Sequence, residues 1–103
     1  MSVLMEFAMF PTDKGGSVSE YVSQVIRMVK ESGKPYKLTA MGTILETQTM
    51  QEALQILQQA YDILESPSER IYSTVKFDIR KDNDQRLTGK IASVEEKIGK
   101  VNH

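Results

Sequence analysis

The chain contains no cysteine. That excludes disulfides, thiolate catalysis and thiolate metal sites, and it suits a reducing cytoplasm. Histidine occurs once, as His103 at the very end. A Ser-His-Asp triad and a histidine-rich metal site are therefore both out of reach. Charge of one sign is also lacking. The 13 basic and 14 acidic side chains leave a formal net charge of −1, so the electrostatic footprint of a nucleic-acid or anionic-membrane binder is missing. No stretch approaches the roughly 20 apolar residues that a membrane span needs. Met1–Phe10 is apolar, but Glu6 interrupts it and no basic residue precedes it, so it does not read as a signal peptide.

What remains is ordinary for a soluble globular protein. Hydrophobic residues make up 40% and charged residues 26% of 103 positions. The length predicts one domain, residues 1–103, with a single modest core.

The clearest pattern is Ile71-Tyr72-Ser73-Thr74-Val75-Lys76-Phe77-Asp78-Ile79-Arg80. It alternates with period two, the mark of a strand with one buried and one wetter face. Val3–Phe10 alternates in the same way, with Met5, Phe7 and Met9 on one side, and Pro11 stops it. After the loop Thr12–Gly16, a Ser17–Glu20 capping box opens a helix predicted over 18–32. Val18, Tyr21, Val22, Val25, Ile26 and Val29 recur on its apolar face, and Gly33 and Pro35 end it. Two extended segments follow, Tyr36–Met41 and Thr43–Thr47, with Gly42 permitting a tight reversal. A Thr49–Glu52 capping box starts a second amphipathic helix over about 50–65, and Pro67 bars its continuation. Lys81–Gly89 reads as a polar loop. Ser93 and Glu96 form a third capping box, predicting a short helix through about Lys100.

This order predicts an α+β ferredoxin-like βαββαβ sandwich: a four-stranded antiparallel sheet with two helices on one face, plus a short C-terminal helix. Right-handed crossovers put the first and third strands in the centre. The expected core sets Val22, Val25, Val29, Leu54, Leu57 and Tyr61 over Met5, Phe7, Val75 and Phe77. The second sheet face is then uncovered. By parity it shows Glu6, Ala8, Phe10, Tyr72, Thr74, Lys76 and Asp78, together with Thr39, Met41 and either Glu46 or its neighbours Leu45 and Thr47. Such a face is too apolar for free solvent and too polar for a core. It suits contact with another subunit, a ligand at the edge of that contact, or both, with a merely solvated face as the remaining reading.

Other chemistry finds little support. The loop Asp13-Lys14-Gly15-Gly16-Ser17 lacks the flanking pattern of a phosphate loop. RNA-recognition sheets need aromatics on the two central strands, and Thr43–Thr47 has none. Acylphosphatases need an arginine after the first strand, and Pro11–Gly16 has none. Glu6 and Glu46 could do acid/base work, although on an open sheet each also suits pairing with Lys76.

Several segments resemble the YkoF-like thiamine-binding proteins. They are Phe10-Pro11, Ser17-Val18-Ser19-Glu20-Tyr21-Val22, Met41-Gly42-Thr43-x-x-Glu46, Thr74-x-Lys76-x-Asp78-x-Arg80 and Val94-Glu95-Glu96-Lys97-Ile98, in the same order over nearly the whole chain. Arg80-Lys81 and the loop Asp13-Lys14-Gly15-Gly16 depart from the family pattern. The resemblance implies the ferredoxin-like fold, a homotetramer built as a dimer of dimers, and binding of thiamine or its hydroxymethylpyrimidine part without catalysis or cofactor. The motif Met41-Gly42-Thr43-x-x-Glu46 carries over Thr43 and Glu46 to the polar edge of the pyrimidine. A carboxylate and a hydroxyl can pair with its amino group and ring nitrogens. Phe10 or Met41 would wall the flat ring, and Glu6 is a second carboxylate candidate by its parity. Lys76 and Asp78 are expected to form a supporting ion-pair network. The expectation is thus a cytoplasmic, non-enzymatic binder of a thiamine-like small molecule, with no nucleic-acid or membrane partner. A structural or regulatory homo-oligomer without ligand is the alternative.

Overall fold

The computed structural model describes residues 1–16 and 18–103. Its elements are β1 (Ser2–Pro11), α1 (Ser19–Glu31), β2 (Tyr36–Leu38), β3 (Thr43–Thr47), α2 (Met50–Glu65), β4 (Ile71–Arg80) and α3 (Arg86–Ile98). The strands form one antiparallel sheet in the order β2-β3-β1-β4. This is the expected ferredoxin-like arrangement, with β1 and β3 central.

Cross-strand pairing fixes the two faces, because directly opposed residues point to the same side. Val3, Met5 and Phe7 pair with Thr47, Leu45 and Thr43, and all lie under α1 and α2. Leu4 and Glu6 pair with Glu46 and Ile44 on the second face. Of the two parities left open for β3, Glu46 therefore takes the second face, and Leu45 and Thr47 face the helices.

The core consists of Val3, Met5, Phe7, Val25, Val29, Leu45, Ala53, Ile56, Ala60 and Leu64. This corrects the sequence expectation for α2. Leu54 and Tyr61 are exposed, and so are Val75 and Phe77. The helix turns its small residues, Ala53 and Ala60, to the sheet beside Ile56 and Leu64, which permits close approach. It rests on β1 and β3 rather than on the edge strand β4. Val22 and Leu57 end half-buried. The Thr49–Glu52 cap forms as predicted: the Glu52 N–H donates to Thr49 Oγ1 at 3.1 Å. The Ser17–Glu20 cap involves Ser17, which lies outside the described residues.

The largest departure is α3. It begins at Arg86, seven residues before the expected Ser93, so Ser93 and Glu96 fall inside the helix and cap nothing. It packs on β3 and β1 and covers one end of the sheet face that was expected to stay open. The tail beyond it returns toward β2, where Lys37 Nζ lies 3.1 Å from His103 Nδ1. Ala8, Phe10, Tyr72, Thr74 and Lys76, toward the other end of the sheet, are half-buried or exposed.

Candidate functional site

The turn between β2 and β3 is closed by the Thr39 N–H, which donates to the Gly42 carbonyl at 2.9 Å, and by the Thr39 hydroxyl. Thr39 Oγ1 donates to the Gly42 carbonyl at 2.8 Å and accepts from the Met41 and Gly42 N–H groups at 3.2 and 3.1 Å. This closes the hairpin and leaves Met41 at its tip, 86% exposed. Gly42 is required by proximity. A Cβ there would stand 3.0 Å from the Phe7 carbonyl oxygen and 3.7 Å from Glu6 Cγ. Gly42→Ala is therefore expected to push the hairpin off β1 and cost about 1–3 kcal/mol. Urea unfolding checks this, and an unchanged midpoint would show that the hairpin can give way freely.

Beneath this turn lies a slot of about 200 Å³ between α1, the end of β1 and the hairpin. Phe7, Phe10, Val22, Ile26, Met41 and Thr43 are among the residues that line it. Phe10 also meets Tyr72, its register partner on β4, with ring centroids 5.9 Å apart. Three of the five sequence-predicted site residues, Phe10, Met41 and Thr43, thus gather at one cavity. Glu6 does not line it: its side chain lies beside Gly42 on the second sheet face, where its carboxylate is 3.0 Å from Lys76 Nζ.

Glu46 is elsewhere. Three positions separate it from Thr43, so period-two alternation puts the two on opposite faces. Thr43 is buried toward the helices and Glu46 is buried under α3. Glu46 Oε2 accepts from Ser2 Oγ at 2.5 Å and from the Arg86 N–H at 2.9 Å, and Oε1 accepts from the Leu87 N–H at 3.2 Å. It caps α3 from 40 residues away. Arg86 folds into the same cluster. Its Nε donates to Ser2 Oγ at 3.1 Å, its guanidinium donates to the Ser2 and Asp78 carbonyls, and Nη1 pairs with the Asp78 carboxylate at 3.0 Å. Burial pushes the Glu46 carboxyl up. The Ser2 hydroxyl, the two helix N–H groups and the Arg86 charge outweigh it and hold the carboxyl below its usual value. A carboxylate held ionised in this way is poorly suited to acid/base work near neutral pH. The expected Lys76–Asp78 network is also divided: Lys76 pairs with Glu6, and Asp78 with Arg86. Sequence reading missed Arg86 and Ser2. Neither carries a local signal, because their partners are remote in the chain.

Residues 5–95 match the sequence profile of thiamine-binding proteins. A UPF0045 protein of Methanothermobacter thermautotrophicus is 36% identical over 83 residues, covering 80% of this chain and 84% of that one. A UPF0045 protein of Mycobacterium bovis is 35% identical over 95 residues, covering 92% and 93%. The crystal structure of a Methanocaldococcus jannaschii protein superimposes with a TM-score of 0.80 at 32% identity, covering 92% of this chain and 97% of that one.

Proposed function

The chain belongs to the thiamine-binding protein family, and from that premise we propose that it is a non-enzymatic, cytoplasmic homotetramer that holds the pyrimidine ring of thiamine or a hydroxymethylpyrimidine relative in the slot beneath the β2–β3 hairpin. The carrying observation is the slot itself, which collects Phe10, Met41 and Thr43 in one small cavity. At about 200 Å³ it lies below the range of drug-sized pockets and suits one ring. Phe10 and Met41 supply apolar walls, and the Thr43 hydroxyl supplies a group that can donate and accept. Glu6, beside Gly42 on the second sheet face, offers a carboxylate that would complement a cationic thiazolium reaching past the hairpin. Glu46 contributes by holding α3 in place rather than by touching the ring. The end of the second sheet face that α3 leaves free supports self-association, since Phe10 and Tyr72 lie on it.

Calorimetry with thiamine and with hydroxymethylpyrimidine tests this reading. Saturable heat is expected for both. Thr43→Val keeps the shape and removes the hydroxyl, so it should weaken binding by about 0.5–1.5 kcal/mol, the worth of a neutral hydrogen bond. No heat at millimolar ligand with a folded protein would leave the ligand-free oligomer standing. Binding that is indifferent to Thr43→Val would move the ring out of the slot.

A further inference from the structure

With no cysteine in the chain, its six methionine thioethers are its only sulfur atoms, and so its only side chains on the sulfur oxidation ladder. The fold separates them sharply by access. Met5 is fully buried, Met9, Met28 and Met50 are half-buried, Met1 is 43% exposed and Met41 is 86% exposed. Among the described residues, Met41 is the most exposed large apolar side chain. A single exposed apolar group needs no explanation, whereas one that joins an apolar concavity does. Met41 lines the slot beneath the hairpin together with Leu38, itself 61% exposed. The backbone leaves Met41 little choice of position. Its N–H is tied to Thr39 Oγ1 at 3.2 Å, the next N–H is tied to the same oxygen at 3.1 Å, and Gly42 lies against β1. Its chain neighbours, Ala40 and Gly42, are too small to shield it. The hairpin therefore holds one oxidisable sulfur both in open solvent and at the mouth of the slot. No other methionine combines the two. Met9 lines the slot but packs against the core, and Met1 is exposed but stands outside the slot, its amino group paired with Asp84.

We propose that Met41 is an oxidant-sensitive wall of this slot: a hydroperoxide converts its thioether to the sulfoxide, and the sulfoxide weakens binding of the ring. This rests on the ring site proposed above and adds its regulation. The step is a two-electron oxygen transfer. A sulfur lone pair attacks the outer peroxide oxygen. The S–O bond forms as the O–O bond breaks, and the departing oxygen takes the proton of the transferred one and leaves as water or an alcohol. Sulfur is oxidised, the peroxide is reduced, and no further reactant is consumed. The product is polar where the thioether was apolar. A soft, polarisable contact with the face of the ring is replaced by a group that prefers water. The sulfoxide oxygen is also an acceptor, and it competes for the Thr43 hydroxyl that the ring uses. A methionine sulfoxide reductase, drawing two electrons from thiols, removes the oxygen as water and restores the thioether. The modification is therefore reversible, and its site is open to both reagents.

Limited hydrogen peroxide, peptide mass mapping and calorimetry with hydroxymethylpyrimidine test this on the whole chain. Met41 is expected to gain oxygen first, Met1 second and Met5 last. Saturating hydroxymethylpyrimidine should slow the oxidation of Met41 and leave that of Met1 unchanged. Once Met41 is oxidised, affinity should fall roughly two- to tenfold, the worth of a sulfur–ring contact. Treatment with methionine sulfoxide reductase should restore it. In Met41→Leu, whatever its own starting affinity, the values before and after peroxide should agree. Oxidation of Met41 no faster than that of half-buried Met9 would overturn the proposal. So would an affinity unchanged by complete oxidation of Met41. A Met41→Leu chain that loses affinity to peroxide as the wild type does would overturn it in favour of Met9 or Met1. No heat from the untreated chain would overturn the ring site itself, and this regulation with it, whatever the order of oxidation.

Discussion

Replacing Glu46 by Ala is expected to release α3 from the sheet and to destabilise the protein by about 3 kcal/mol. The substitution strands three donors at once: Ser2 Oγ and the N–H groups of Arg86 and Leu87. It also removes a negative charge near the buried Arg86 guanidinium, which then keeps only its pair with the exposed Asp78 carboxylate. For a protein of this size, 3 kcal/mol corresponds to a fall in Tm on the order of 15 °C. Hydrogen exchange should show the amides of 86–98 losing protection ahead of the sheet. Full protection of α3 in this variant would mean that Leu87 and the surrounding apolar contacts hold the helix unaided. The same group predicts an acid response. Its pKa is lower in the folded than in the unfolded chain, so its contribution is complete above the unfolded value, about 4.5. It is lost as pH falls through the lower folded value. Wild-type stability should therefore decline over that acid range more steeply than that of Glu46→Gln, whose side chain does not titrate.

Leu45→Ala is expected to cost about 2–5 kcal/mol, the range for emptying a buried leucine site. Leu45 is completely buried at the centre of β3, paired with Met5 and beneath the helices. Phe77→Ala should cost clearly less in the isolated chain, about 1–2 kcal/mol, because a third of Phe77 already faces water. Urea denaturation at low protein concentration compares the two directly. If Phe77→Ala proved the more damaging, the core would have to include β4, as period-two alternation alone suggests. Raising the protein concentration should then separate stability from assembly, since a residue at a subunit contact makes its loss concentration-dependent.

The four strands and the helices α1 and α2 were legible in the sequence because their signals are local, although β2 ends at Leu38 rather than at Met41. Period two in Val3–Phe10 and Ile71–Arg80, helical spacing in 18–32 and 50–65, and the stops at Pro11, Pro35 and Pro67 each follow from neighbours a few positions apart. Chain order and crossover handedness then leave the ferredoxin-like sheet as the simplest packing. Alternation also told which residues share a face, and so placed Phe10 and Glu6 together on one side of β1.

Tertiary structure decided the rest, for reasons no local pattern contains. Alternation says that Val75 and Phe77 lie on the apolar side of β4, but not that two alanines draw α2 onto β1 and β3 and leave that side open. The motif Met41-Gly42-Thr43-x-x-Glu46 is continuous in sequence yet divided between the two faces of the sheet. Thr43 goes to the slot and Glu46 to the underside of α3. The start of α3 is set by that same carboxylate, supplied from 40 residues earlier, so the capping signal at Ser93 is overruled. A helix end needs acceptors for its free N–H groups, and which group provides them is fixed only when the chain has folded.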